Sequence, residues 1–315
     1  MLANYFKTAL RSFLRQKTYT LVNIIGLMVG LTCSFLILMW VSYELSVNRF
    51  HENGNRIHKV FLNAHSSTKI NTWSSIPIPL AGVLRNDYPE IQEVVLCTYG
   101  QSAFLTRPDE STFRQRGRYA SSNFFEVFTF PFILGDPETA LVSPDAITFS
   151  VNLAGRYFGE DWREQDVIGQ MVRVDHRKEF VLTGIYEDSP RHSDIRPLYV
   201  ASVEDFRARS PHLEKWGNMG LMMYIMLSPE TSLQELRSRV KSSVNDNSEW
   251  ETMDVILQPY EDTYLYAKFE NGQIVGGRIE YVRLFAIVAL FILVIAAINY
   301  VNLATARSAQ RAREV

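Results

Sequence analysis

Two long stretches without a charged residue bracket this chain, and they constrain it more than anything else in it. Residues 18–43 carry no Asp, Glu, Lys or Arg, and neither does the run between Arg283 and Arg307. A helix rises about 1.5 Å per residue, so roughly 20 residues cross a hydrocarbon layer of about 30 Å. The heart of the first run, LVNIIGLMVGLTCSFLILMWV, and the second run, LFAIVALFILVIAAINYVNLATA, both meet that length. Neutral apolar runs this long read as membrane spans rather than as core helices of a soluble domain. The first is too long for the apolar part of a secretory signal, and the VSYELSVNRF after it has no small-x-small cleavage pattern. It is expected to remain as an anchor.

The flanking cations set an orientation, because Lys and Arg next to a span stay on the cytoplasmic side. Lys7, Arg11, Arg15 and Lys17 precede the first run with no acid among them; Arg307, Arg311 and Arg313 follow the second, opposed only by Glu314. Both chain ends are therefore expected in the cytoplasm, with residues 46–282 on the far side of the membrane. Residues 1–17 also place Leu2, Phe6, Leu10, Phe13 and Leu14 on one helical face and Lys7, Arg11 and Arg15 on another. That pattern predicts an amphipathic helix lying on lipid headgroups. The expected organisation is a cytoplasmic helix over 1–17, a transmembrane helix over 18–45, an outer domain over 46–282, a second transmembrane helix over 283–306, and the start of a cytoplasmic loop over 307–315.

The net charge of −2 supplies none of the positive field that nucleic-acid binding needs. Between the two spans, strand-like and helix-like stretches alternate. Strands are expected over 57–63, 93–99, 114–119, 146–149, 171–174, 180–186, 222–227 and 255–259. Helices are expected over 79–86, 123–128, 151–158, 202–208 and 233–244, the last with Ser232 and Glu235 forming a capping box. The expected class is α+β: two transmembrane helices flanking a large extracytoplasmic α+β domain of two subdomains, with boundaries near residues 100 and 220. About 240 residues bury a sufficient core without disulfides, and the two cysteines, Cys33 in the first span and Cys97 in the domain, are not expected to pair.

No phosphate-cradling G-x-x-x-x-G-K-[ST], no G-x-S-x-G, no H-E-x-x-H and no C-x-x-C occurs. No cofactor, metal site or catalytic residue is expected. His51, His58 and His65 are spaced by seven, but Asn53-Gly54-Asn55 interrupts any helix, so they read as surface histidines, as do His176 and His192. Glu187-Asp188 and Asp161 near Glu164 read as solvated loop charges. Trp73 and Trp216 are expected in the core. Within the spans, Gly26 and Gly30 form G-x-x-x-G, and Asn299 and Asn302 are amides that need partners in hydrocarbon; these four are the candidate helix-packing positions. Thr32 and Ser34 can bond back to their own helix.

Several separate blocks resemble a known family. They are NYFKTALRSFLRQKTYTLVNIIGLMVGL, YASSNFFEVFTFPFILGDPETAL, GRYFGED, DVIGQMVRVD, LTGIYEDSPRHSDIRPLYV, LQPYEDTYLY and the closing RIEYVRLFAIVALFILVIAAINYVNLATARSAQRAREV. In this order they are similar to permease subunits of ABC transporters of the MacB/FtsX type, in the version common in Bacteroidetes. The resemblance implies a MacB-like periplasmic core domain and the start of an FtsX-like permease domain. It also implies a separate cytoplasmic ATPase subunit as partner, pairing into a homo- or heterodimer with another permease, and a periplasmic or outer-membrane partner. The work it implies is mechanical: efflux, lipoprotein export or another cell-envelope process. Arg311, Arg313 and Glu314 match the beginning of the cytoplasmic segment near the ATPase. Family members carry further membrane helices, so the chain reads as a fragment of a longer permease. Topology alone also suits a two-helix membrane receptor with a periplasmic sensing domain, whereas the sequence blocks favour the permease.

Overall fold

The computed structural model describes residues 17–247 and 253–311. The predicted surface helix over 1–17 lies almost wholly outside the described residues. In chain order the regular elements are α1 (Lys17–Ser46), β1 (Ile57–His65), β2 (Ile70–Trp73), α2 (Leu80–Asp87), β3 (Ile91–Cys97), β4 (Gln101–Thr106), β5 (Thr112–Ala120), α3 (Phe124–Val127), β6 (Phe132–Gly135), β7 (Ala146–Ser150) and α4 (Val151–Phe158). They continue with β8 (Met171–Val174), β9 (Lys178–Tyr186), β10 (Tyr199–Ser202), α5 (Val203–Arg209), β11 (Met222–Leu227), α6 (Leu233–Val240), β12 (Met253–Pro259), β13 (Lys268–Glu270), β14 (Gln273–Gly276) and α7 (Arg278–Arg311). The chain divides into a helical unit at its two ends and an outer domain, Ser46–Gly276.

Both α1 and α7 are long and apolar enough to cross a membrane, over Ile24–Ser46 and Arg278–Asn302. Each leaves most of its large apolar side chains uncovered, Leu21, Phe35, Leu36, Leu290, Phe291 and Ile295 among them. Such surface is stable in hydrocarbon and costly in water. The helix α7 begins at Arg278, inside the stretch assigned from sequence to the outer domain, because Arg278, Glu280 and Arg283 extend the helix as a polar turn ahead of the apolar run.

In the outer domain, the strands of a 12-stranded sheet close partly on themselves. The ring runs β4–β5–β10–β7–β9–β8 and back to β4, through antiparallel pairs and two parallel ones, β5 with β10 and β7 with β9. Side chains alternate across a strand, so every second residue faces inward. Ala103 and Leu105, Ile147 and Phe149, Val172 and Val174, Phe180 and Leu182, Tyr199 and Ala201 obey that period, and all belong to one buried cluster. The barrel is thus a packed core, each fully buried Leu, Ile or Phe contributing about 1.5–3 kcal/mol. Ser150 caps α4, its Oγ accepting the N–H of Leu153 at 3.3 Å.

The sheet leaves the barrel where Cys97 of β3 pairs with Ala120 of β5, and continues as β3–β11–β1–β12. One face of this open part packs Val60, Leu62, Val94, Leu96, Met223, Ile225, Val255 and Leu257 with Leu80 and Leu84 of α2 and Leu236 and Val240 of α6. The opposite face packs Ile57, Val95, Cys97, Met222 and Tyr224 against an aromatic cluster from the segment around α3. The two expected subdomains are therefore a barrel and an open lobe sharing one sheet, within a single compact outer domain. The architecture is α+β.

Three local expectations are corrected. Ser232 stands at the N-terminus of α6, but its side chain makes no cap bond, so the capping box with Glu235 is not formed. Trp73 is 37 % exposed at the end of the short β2, and Trp216 is only partly buried, because both sit on loops or edges rather than on inward-facing strand positions. His51 and His58 are buried rather than on the surface. His58 lies on the inner run of β1, where its Nδ1 is 3.0 Å from the carbonyl of Arg56.

Candidate functional site

Two regions of this chain hold arrangements that packing alone does not require: the seam between α1 and α7, and the segment by which the chain leaves α1.

The seam is antiparallel and built from small residues. A Cβ placed on Gly30 would lie 2.9 Å from Ala296 Cβ, closer than real carbon atoms approach, and one on Gly26 would lie 3.4 Å from Asn299 Nδ2. Hydrogen at these positions lets the backbones come together, which in hydrocarbon replaces the missing hydrophobic drive with close packing. Further along, the Ser34 hydroxyl donates to the carbonyl of Ala289 at 3.1 Å, and Trp40 meets Phe285 edge to face, centroids 5.2 Å apart. Ser34 thus bonds across to the other helix rather than back to its own, a correction to the sequence reading. Of the four predicted packing positions, Gly26, Gly30 and Asn299 come together; Asn302 is exposed. The candidate ATPase-contact residues Arg313 and Glu314 lie outside the described residues; Arg311 ends α7.

The helix α1 ends at Ser46, and two residues later Asn48 is fully buried in the outer domain with φ +66°. Asn is among the few residues that tolerate that left-handed conformation. Its N–H donates to the carbonyl of His192 at 2.9 Å, and its Oδ1 accepts from the N–H of Asp194 at 2.8 Å and from the Tyr260 hydroxyl at 3.3 Å. Three residues on, the Nδ1 of His51 accepts the N–H of Thr129 at 3.0 Å, while the N–H of Glu52 donates to Thr129 Oγ1 at 2.9 Å. The imidazole is ringed by Phe50, Phe128, Phe130 and Tyr260, with centroids 4.0 to 6.2 Å away. Burial among these rings pulls its pKa down from 6.5 to about 4, so the ring is neutral at ordinary pH. With Nδ1 accepting, the proton sits on Nε2, which is buried with no hydrogen-bond partner among the described residues.

The aromatic block SNFFEVFTFPF supplies most of this socket: Phe124, Phe125, Phe128, Phe130 and Phe132 stack on one another and on Tyr186, Tyr224 and Tyr260. The other connection differs. The chain passes from β14 to α7 through Gly276 and Gly277, at φ +156° and +144°, a backbone region open essentially to glycine alone.

The role of Asn48 had no signal in the sequence, since its partners lie more than 140 residues away. Ser34 was visible as a polar residue in the span, but its partner was not. The residues 187 and 188 read as loop charges are partly so: Asp188 Oδ1 accepts the N–H of Asn152 at 3.2 Å at the start of α4. His65 is exposed and lies 3.0 Å from Asp254.

The family described as the MacB-like periplasmic core domain matches residues 20–243. Among solved structures, a domain assigned as a permease protein from Porphyromonas gingivalis is similar at 20 % identity and a TM-score of 0.56, covering 67 % of this chain and 93 % of that one. The periplasmic region of MacB from Actinobacillus actinomycetemcomitans matches at 15 % identity and a TM-score of 0.47, covering 67 % of this chain and 91 % of that one. No curated protein matches in sequence.

Proposed function

Because the chain belongs to the family of MacB-like periplasmic core domains of ABC transporter permeases, we propose that it is the permease component of a mechanically coupled system, carrying ATP-driven motion to its outer domain. Hydrolysis belongs to a separate cytoplasmic subunit, consistent with the absence of a phosphate-cradling loop in this sequence. Both chain ends lie in the cytoplasm and residues 46–282 face the periplasm. A second permease copy or a related permease completes the transporter, and Arg311, Arg313 and Glu314 are its proposed contacts with the ATPase. The work is done by the outer domain on a periplasmic or outer-membrane partner, in efflux, lipoprotein export or another envelope process, and residues 307–315 are the start of an FtsX-like permease domain.

The observation that carries this reading is the burial of Asn48 two residues beyond the end of α1. A lever needs one stiff joint. The hydrogen bonds of Asn48 and His51 fasten the segment that follows α1 to the outer domain, whereas α7 is entered through Gly276-Gly277, at φ values open essentially to glycine. An ATP-dependent shift of the first helix would then be delivered to the sheet through a short, bonded segment.

The test inserts Gly-Gly between Ser46 and Val47 in the complex with its ATPase. ATP hydrolysis should continue while the ATP-dependent change in a spin-label distance between the outer domains of the two permeases is lost. An insertion that leaves that change intact overturns the stiff-joint reading.

A further inference from the structure

Alternate residues of a strand share a face, and on β5 the outward face carries Arg114, Arg116 and Arg118. Arg116 and Arg118, joined by Arg196 from the loop before β10, line a cleft of about 600 Å³ whose wall also holds Asp188 and Asp194. That volume lies within the roughly 300–1,000 Å³ typical of small-ligand sites. Among the described residues, none pairs with Arg116, Arg118 or Arg196 as an ion pair.

Arg118 is the informative one. Its Nη1 reaches the Cys97 sulfur at 3.5 Å, an ordinary length for a sulfur acceptor, and the Thr98 carbonyl at 3.4 Å, near the long limit of a hydrogen bond; neither acceptor supplies a counter-charge. Cys97 is itself buried, and burial holds it as a neutral thiol. A guanidinium cannot shed its charge, and a largely enclosed cation without a counter-charge is costly. Three arginines against two aspartates, with Lys59 close enough to feel both Asp194 and Arg118, leave the cleft net positive, the complement of an anion.

We infer that this cleft binds a small carboxylate-bearing molecule, its carboxylate held by Arg116, Arg118 and Arg196. The planar fork of a guanidinium matches a carboxylate through two parallel bonds. Asp188 and Asp194 are placed to accept N–H or O–H groups from the rest of the ligand, and they repel a dianion such as phosphate. The N–H of Asp194 also bonds Asn48, so an occupied cleft touches the segment that leaves α1. The inference stands apart from the transmission proposal, since binding is measured without the ATPase.

The test is ligand-observed saturation-transfer NMR on the full chain in detergent, with N-acetylglycine as probe and neutral N-acetylglycinamide and inorganic phosphate as comparisons. N-acetylglycine should bind saturably and the neutral amide should not. Arg118→Met or Arg196→Met should weaken binding at least about tenfold, in line with the loss of a charge-assisted bond, while Arg114→Met, on the same face but outside the cleft, should not. Arg196 is exposed, so its substitution serves if the Arg118 variant fails to fold. Absence of saturable binding, equal binding of the amide, unchanged affinity in the folded variants, or phosphate binding tighter than N-acetylglycine each overturns the assignment.

Discussion

The side-chain oxygen of Asn48 accepts the backbone N–H of Asp194 at 2.8 Å, joining residues 146 positions apart in the chain. Asn48→Ala removes that acceptor, orphans the Tyr260 hydroxyl and leaves at φ +66° a residue without the polar side chain that lets Asn tolerate this conformation. The expected loss is about 2–4 kcal/mol from the unpaired groups and the backbone strain together. Asn48→Gly keeps the conformation and loses only the bonds, so it should unfold at a higher temperature than Asn48→Ala. Equal melting temperatures for the two would contradict the role given to the backbone.

His51 makes the outer domain acid-sensitive. Its folded pKa, about 4, lies below the unfolded value of 6.5, so the unfolded chain binds the proton first as pH falls. Stability from this group is complete above about pH 6.5, declines as pH falls toward 4, and is lost below it, a change of roughly 3 kcal/mol. Denaturant midpoints of the wild type should drop between pH 7 and pH 5 more than those of His51→Phe, which has no proton to bind. Parallel pH profiles would show that His51 is not the titrating group.

The seam between α1 and α7 is open to a direct chemical test. Gly30→Cys with Ala296→Cys, in a Cys33→Ser background, places two thiols across the seam; a Cβ on Gly30 starts 2.9 Å from that of Ala296, so the helices move apart by about an ångström to reach disulfide geometry, and oxidation in the membrane should join them. Asn302→Cys paired with Gly30→Cys should not react. Gly30→Leu should separate the helices and abolish cross-linking of a neighbouring pair, Ser34→Cys with Ala289→Cys.

The proposed topology predicts the labelling of single cysteines in intact cells. Glu160→Cys, on an exposed turn after α4, should react with a membrane-impermeant maleimide, and Asn4→Cys should react only after permeabilisation. Equal labelling of the two in intact cells would reject it.

What could be read without coordinates was local or governed by solvent. A run without charge is apolar whatever surrounds it, so α1 and α7 were evident, and β8 and β11 have the bounds expected, because their alternation with turn residues is a property of neighbours in the chain. The barrel was not evident. The strands β4 and β10 close it, yet QSAFLT begins with polar residues and YVAS is four residues long; each becomes a strand only because its partner offers an unpaired edge. The same holds for the site. A histidine spacing of seven said nothing of the ring of Phe and Tyr around His51, and Ser34 acquired its acceptor from a helix 255 residues away. The arginines of RQRGR displayed their period of two in the sequence, but whether carboxylates would stand opposite them depended on the loop before β10. Hydrophobic length and alternation act through neighbours along the chain, whereas burial, pairing and the fate of a charge depend on which distant segments arrive, and only the tertiary structure decides that.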